Sequence, residues 1–273
     1  MGYACGPCGP TPPRRSWSPP LRRILFAPLL LTLAACGRDR TEPATQPPGA
    51  TESAKTRVLE AGAKALQDDG PAAVLDIHLV GFHPLRDHPH QQMEAHHFCR
   101  QVNEEFAQCA LFDGDTAQAN LTGVEYIISE NLFQRLPPEE RRYWHPHNGE
   151  ILSGQLSAPG LPLTAEKALM RSKLNSYGKT WHTWHSRDGA KPGDALPLGE
   201  PMLAWSFNRD GELQPDLQAR RDAIAPHRSA ELRADRQDLT PLAKPQQGVH
   251  LLREAFPSAT PIPGVVDAGT GER

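Results

Sequence analysis

The first 35 residues limit most strongly what this chain folds into, because their pattern marks them for removal. Residues 1–35 contain four arginines and no acidic residue, and an apolar stretch runs from Ile24 to Leu33. A basic segment, a short apolar segment and small residues before a cleavage point are typical of a secretory signal peptide. The apolar stretch is shorter than the roughly 20 residues that span a bilayer. We therefore expect residues 1–35 to be a signal peptide that takes no part in the fold.

The sequence at the cleavage point predicts a lipid anchor. Leu33-Ala34-Ala35-Cys36 resembles the lipobox of bacterial lipoproteins. In that class the cysteine, here Cys36, becomes the first mature residue and is lipidated on its sulfur and its amine. Gly37 stands where an Asp would indicate retention in the inner membrane. We expect a bacterial cell-envelope protein, lipid-anchored at the periplasmic face of the outer membrane; an ordinary signal with a chance cysteine is the alternative.

The charge balance excludes one class of partner. The whole chain has a net charge of −3, and residues 36–273 retain 25 basic against 32 acidic side chains, about −7. An acidic surface repels nucleic acid and anionic lipid alike. We therefore expect no nucleic-acid partner and membrane attachment through the lipid anchor alone, while the pattern identifies no protein or small-molecule partner.

Composition divides the remaining chain into three parts. The 28 prolines are concentrated toward the ends, and the mean hydropathy of −0.54 is polar for a globular protein but not that of a fully disordered one. We predict a flexible tether at 36–51, a folded domain at 52–225 and a loosely ordered tail at 226–273. The expectation for both termini is therefore disorder.

Periodicity within the domain predicts helices and strands in irregular order. Residues 94–112 are ambiguous and favour two extended pieces around Asn103-Glu104. Helical patterns cover Glu52–Gln67, Thr164–Leu174 (with Thr164 as N-cap) and Leu213–Ala223, with a helix start at Leu136–Glu140. Extended patterns cover Ala73–Phe82, Leu121–Ser129, Ile151–Leu156, Lys179–His185 and Met202–Phe207. We predict a single α+β domain with a mainly antiparallel sheet flanked by helices.

Histidine is the residue type that points to chemistry. Ten of the 12 histidines lie between His78 and His185, and neutral imidazole is the commonest metal ligand. Two histidines two apart on a strand present both rings on one face, as in His145-Pro146-His147. The candidate ligands of a divalent transition metal are His96, His97, Glu125, His145, His147 and Glu150. Two alternatives remain: structural or surface histidines, and a general base.

The cysteines and aromatic residues give weaker indications. Cys99 and Cys109 form an even pair in an oxidising compartment, which favours a disulfide, although two buried thiols are the alternative. Aromatic residues beside polar groups line ligand clefts but more often fill a core. The candidate pocket residues are Trp144, Tyr177, Trp181 and His182.

Several stretches, taken together, resemble the oil body-associated protein family, a group defined by a domain of unknown function. The resemblance covers roughly residues 54–225 and implies one α+β domain. The stretches are IHLVGFH (77–83), MEAHHFCRQVNEEFAQC (93–109), GVEYIIS (123–129), WHPHNGE (144–150), YGKTWHTW (177–184) and LPLGEP (196–201). In plants such proteins are associated with seed lipid bodies, which implies a non-enzymatic binding or structural role. The histidines His88 and His90 lie in a loop that departs from the family pattern.

Overall fold

The computed structural model describes Gly2 and residues 40–67, 70–189 and 191–269. The predicted signal peptide (1–35), apart from Gly2, and the lipidation at Cys36 lie outside the described residues. The helices are α1 (Ala54–Leu66), α2 (Glu130–Arg135), α3 (Pro138–Arg141), α4 (Asn148–Leu152), α5 (Leu163–Lys173), α6 (Pro215–Ile224) and α7 (Ser229–Asp235). The strands are β1 (Ile77–Leu85), β2 (His88–Asn103), β3 (Phe106–Phe112), β4 (Leu121–Ile128), β5 (His145–Pro146), β6 (Tyr177–His182), β7 (Arg187–Asp188), β8 (Lys191–Pro192), β9 (Met202–Leu203), β10 (Arg209–Asp210) and β11 (Thr260–Pro261).

One antiparallel sheet organises the described residues. Its order is β1-β2-β3-β4-β6-β5, and β9 pairs with β6 beside β5. The chain after β9 also returns to β1: the Trp205 N–H donates to Pro84 O at 2.9 Å, and Arg86 N–H donates to Leu203 O at 2.9 Å. The sheet therefore curls back toward its own first strand. The prediction of a single α+β domain with a mainly antiparallel sheet is confirmed.

Residues on the inner face of the curled sheet form the main core together with short helices. Leu79, Leu111 and Ile127 from the strands pack in one buried cluster with Ile151 of α4 and Met170 of α5. Burying such side chains contributes about 1.5–3 kcal/mol each. On the outer face, Phe82 packs with residues of the α6 region, so β1 and β2 are covered on both sides.

Several local predictions are matched and others are corrected. The two extended pieces around Asn103 are β2 and β3, and Asn103 Oδ1 accepts a hydrogen bond from Glu105 N–H at 2.9 Å in the turn. The stretch Ile151–Leu156, predicted as a strand, instead contains the end of α4. A short apolar run does not distinguish a buried strand from a buried helix. Helix α5 begins after Pro162 with no side-chain cap, so Thr164 is not its N-cap.

The segment after residue 225 differs from the expected loose tail. Helix α7 and the 3₁₀ turn Gln237–Leu242 place Leu232 and Leu239 in buried positions. Arg236 is fully buried and donates hydrogen bonds to Ile151 O at 2.6 Å and Leu156 O at 2.9 Å. Single apolar residues inserted between polar ones carry no helical or strand period, which is why the sequence pattern predicted a loose segment.

The segment before β1 also has two distinct parts. In the predicted tether, Thr45 is buried, and Asn120 Nδ2 donates to its carbonyl at 2.8 Å. Helix α1 forms where predicted, with Ser53 as N-cap, but none of its residues is buried. Within the described residues, no helix has the length and apolar character needed to cross a membrane.

Candidate metal centre

The strand register brings histidines and a glutamate to the inner face of the sheet. One cross-strand row runs from Leu79 through His97 to His182, and Glu125 lies one row away. Side chains two residues apart share a face of a strand, so His83 on β1 joins them. The curl of the sheet then turns side chains of non-adjacent strands toward one another.

Glu125 is the centre of this group. Its Oε2 lies 2.8 Å from His97 Nε2 and 3.8 Å from His83 Nε2. Its Oε1 lies 3.2 Å from His147 Nε2 and 3.7 Å from His145 Nε2. All five side chains are 4% exposed or less. We call these five residues the Glu125 cluster.

His145 and His147 reach the cluster from the opposite side to β1 and β2. β5 pairs with β6 through His145 opposite Gly178, and His147 directly precedes α4. The predicted His-x-His arrangement therefore delivers both rings to one carboxylate oxygen. Neither ring nitrogen of His145 has a hydrogen-bond partner within the described part of the chain. A fully buried, unpaired imidazole is costly unless another ligand satisfies it.

In the other three histidines, the ring nitrogen that points away from Glu125 has a hydrogen-bond partner in the protein. His97 Nδ1–H donates to Ala95 O at 3.1 Å, which directs Nε2 at Glu125. His147 Nδ1 lies 2.8 Å from Ser176 Oγ, and His83 Nδ1 lies 3.0 Å from His182 Nε2. Metal-binding histidines are oriented in this way, with one nitrogen hydrogen-bonded and the other free for the ion.

Gly178 leaves room at the point where these donor atoms meet. A Cβ at this position would lie 2.4 Å from Glu125 Oε1 and 2.6 Å from the Nε2 atoms of both His145 and His147. Zinc binds imidazole nitrogen at about 2.0–2.1 Å and carboxylate oxygen at about 2.0–2.2 Å. The three donor atoms lie within 4.8 Å of one another against the Cα of Gly178, close to the spacing of donors around one ion, and any side chain at this position would displace them.

Burial lowers the pKa of His83 well below its usual value, so the electrostatics favour neutral rings at His83 and His145 beside an ionised Glu125 carboxylate. Burial and the neighbouring His147 lower the pKa of His145 to about 3. Burial and His97 lower the pKa of His182 to about 4. Burial alone would raise the pKa of Glu125, but the charge and hydrogen bonds of the facing histidines hold it well below its usual value. Neutral imidazole and ionised carboxylate are the forms that bind metals.

The predicted metal ligands are only partly brought together. His97, Glu125, His145 and His147 converge, whereas His96 points to the opposite face of β2 and its Nε2 lies 3.1 Å from Glu94 Oε1. His96 is therefore removed from the candidate ligands, because neighbouring residues on a strand face opposite ways.

Glu150 is buried near the cluster but outside its donor groups. Burial and the negative charge of Glu125 raise its pKa well above the usual value. His83, which the sequence did not single out as a ligand, belongs to the cluster. Alternation along β1 places His83 on the same face as Gly81, two residues before it. Only the pairing of β1 with β2 shows that this face is the inner one.

The predicted ligand pocket is not formed as one site. Tyr177 stacks on Phe133 of α2, in the same apolar cluster as Trp144. Trp181 lies on that same outward side of β6, while His182 faces inward to His83. The alternation of β6 therefore separates His182 from the aromatic residues, which have a core-packing role.

Cys99 and Cys109 are direct register partners on β2 and β3 and are joined by a disulfide in the structure. The next strand places Glu125 opposite Cys109. The disulfide thus links β2, which carries His97, to β3, which pairs with β4, the strand that carries Glu125.

Fold and site define a class: a small α+β domain whose curled antiparallel sheet encloses a carboxylate among imidazoles. The family described as "Protein of unknown function (DUF1264)" matches residues 69–240. Oil body-associated protein 1A of Zea mays is 36% identical over 208 residues, covering 76% of this chain and 84% of the relative. The chain belongs to the oil body-associated protein family.

Two further relatives give the same result. Oil body-associated protein 1B of Arabidopsis thaliana is 40% identical over 166 residues, covering 61% of this chain and 67% of that protein. Oil body-associated protein 2A of Zea mays is 38% identical over 204 residues, covering 74% and 79%. No solved structure matches significantly. The resemblance expected from the sequence stretches is therefore confirmed at the level of the family.

Proposed function

We propose that this chain is a lipid-anchored envelope protein of the oil body-associated family whose domain binds a divalent transition metal in the Glu125 cluster. The observation that carries the proposal is the convergence of donor atoms from Glu125, His145 and His147, which lie within 4.8 Å of one another. Gly178 leaves them room to gather, and His145 has no hydrogen-bond partner among the described residues.

The donor set indicates the kind of metal. Four imidazoles and one carboxylate suit zinc, iron, copper or nickel better than calcium or magnesium, which prefer oxygen ligands. The protein holds the rings through Ala95 O, Ser176 Oγ and His182, so little rearrangement is needed on binding.

The burial of the site supports a binding or structural role rather than catalysis. A catalytic metal keeps a position that water or substrate can reach, whereas a structural metal needs no such access. Every member of the Glu125 cluster is nearly inaccessible to solvent. A structural metal would stabilise the curled sheet by linking β1 and β2 to β4 and to the segment that precedes α4.

Metal analysis of the purified full chain tests this proposal. We expect stoichiometric zinc, iron or copper and a melting temperature that falls on chelation. His145→Ala should lower the metal content, whereas His96→Ala, which also removes a buried histidine, should leave it unchanged. A protein that binds no transition metal and whose melting temperature ignores chelators would overturn the metal proposal.

The membrane part of the proposal rests on Cys36. The relatives are named for association with oil bodies, and for this chain the lipobox supplies an independent route to a lipid surface. Lipidation contributes about 0.8 kcal/mol for each buried CH₂, and stable anchoring requires more than one chain.

Fractionation of bacteria that express the full chain tests the anchor. Cys36→Ala should move the protein from the membrane fraction into the soluble periplasmic fraction. Cys5→Ala, a substitution of the same type within the removed segment, should leave it in the membrane. Retention of the Cys36→Ala protein in membranes would refute the anchor without affecting the metal proposal.

A further inference from the structure

We propose that the Glu125 cluster holds two metal ions bridged by the Glu125 carboxylate. This inference rests on the proposed metal-binding function and adds the number of ions and the role of each ligand. The bridging residue would give one oxygen to each ion, and each ion would take two histidines.

The contacts divide the cluster into two donor groups. His83 and His97 approach Oε2 of Glu125, at 3.8 and 2.8 Å. His145 and His147 approach Oε1, at 3.7 and 3.2 Å. The two groups therefore use different oxygens of the same carboxylate and enter from different strands of the sheet.

Distances between donors argue against one ion that uses all five residues. Donor atoms bound to one ion at about 2.0–2.2 Å cannot be more than about 4.4 Å apart. Within the described residues, donor atoms that lie within 4.8 Å of one another form two triads, which share Glu125 and no histidine. One ion would satisfy one triad and leave the other pair of imidazoles unused.

Each half also has its own orienting contact. In the first half, Ala95 O holds Nδ1 of His97 and His182 holds Nδ1 of His83. In the second half, Ser176 Oγ holds Nδ1 of His147. Three of the four rings are thus directed at Glu125 by the surrounding protein, with at least one in each half, as expected of metal ligands.

The arrangement defines the ligand class. Pairs of metal ions in proteins lie about 3.5–4 Å apart. Two imidazoles and one carboxylate oxygen give each ion three protein donors, which suits a pair of divalent ions such as zinc, iron or cobalt. Glu150, buried close to Glu125, is the second carboxyl group in this part of the interior.

The experiment is a cobalt titration of the full chain after chelation and removal of the chelator. We expect two Co²⁺ per chain by metal analysis, and EPR should show magnetic coupling between the two ions. His97→Asn and His147→Asn should each retain one ion and lose the coupling. His96→Asn is the matched control on the outer face of β2 and should retain both ions and the coupling.

The wild-type protein alone decides between the outcomes, so misfolding of a variant does not obscure the result. One uncoupled ion per chain would overturn the bridged pair and leave the proposed metal-binding function intact. No bound ion would overturn both. Two ions without coupling would place the second ion elsewhere and would also overturn the bridge.

Discussion

His96 and His97 are neighbours in sequence and equally buried, yet they belong to different environments. His97 faces the inside of the curled sheet and lies 2.8 Å from Glu125 Oε2. His96 faces the outside and lies 3.1 Å from Glu94 Oε1, with His78 Nε2 3.1 Å from its other nitrogen. Each has a carboxylate partner, so neither burial nor a carboxylate distinguishes them.

The difference is the number of rings that converge on one carboxylate. Glu125 has four imidazole nitrogens within 4 Å, two at each oxygen. On the outside, the described contacts of Glu94 include one imidazole, that of His96. A histidine-rich strand thus provides a candidate metal site only where the curl of the sheet gathers rings from several strands.

The largest expected effect comes from filling the space beside Gly178. Gly178→Ala would put a methyl group 2.4–2.6 Å from three donor atoms, all at the ends of side chains that can shift aside. We expect zinc affinity to fall at least about 1000-fold, which corresponds to about 4 kcal/mol. Titration with a competing chelator measures the change, and thermal unfolding without metal shows whether the fold is retained.

Gly81→Ala is the matched control for that substitution. Its Cβ would meet Leu156 Cδ1 at 3.1 Å and the His97 ring at 3.7 Å, which requires only a small adjustment. Zinc affinity should stay close to that of the wild type. If both alanine variants bind zinc equally well, the donor atoms that gather against Gly178 are not metal ligands.

The second effect concerns the stability of the metal-free protein at mildly acidic pH. His145 and His182 have pKa values lowered to about 3 and about 4 by burial and by neighbouring histidines. In the unfolded chain they titrate near the usual value of about 6.5. Between pH 7.5 and 5.5 the unfolded state therefore takes up protons that the folded state does not.

Because the unfolded state binds more protons, the free energy of unfolding should fall as the pH falls through 6.5. The loss at pH 5.5 should be roughly 1 kcal/mol for each histidine. Urea unfolding in the presence of a chelator at the two pH values measures it, and His145→Gln should reduce the difference. A free energy of unfolding that is the same at both pH values would contradict neutral, buried rings.

The sequence identified four members of the Glu125 cluster but did not separate them from His96 and Glu150. Alternation identifies which residues share a face, and it places both rings of His145 and His147 together. It does not say which face of β2 is inside, so His96 and His97 could not be separated. That assignment depends on the pairing of β2 with β1 and β3, which is a property of the tertiary fold.

The fold was predictable where periodicity is strong and not where single residues are buried one at a time. β4, rich in branched and aromatic residues, lies within a residue of its predicted limits. The segment after residue 225 has no period, yet Arg236 and Leu239 are buried because they fill gaps between other elements. Such contacts are specified by the space around them and not by their own sequence.

The smallest expected effect is on the outer side of β2, at the contact between Glu94 and His96. Burial would raise the pKa of Glu94, but its hydrogen bond and charge interaction with His96 lower it overall, so the ionised form stabilises the fold at neutral pH. Glu94→Gln keeps the shape and removes the charge, and we expect a loss of roughly 1 kcal/mol in the free energy of unfolding at pH 7. The metal content should equal that of the wild type, because Glu94 faces away from the Glu125 cluster. Metal analysis and urea unfolding of the same preparation measure both quantities. Loss of metal in this variant would mean that the two faces of β2 are coupled and that the inner cluster is not a self-contained site.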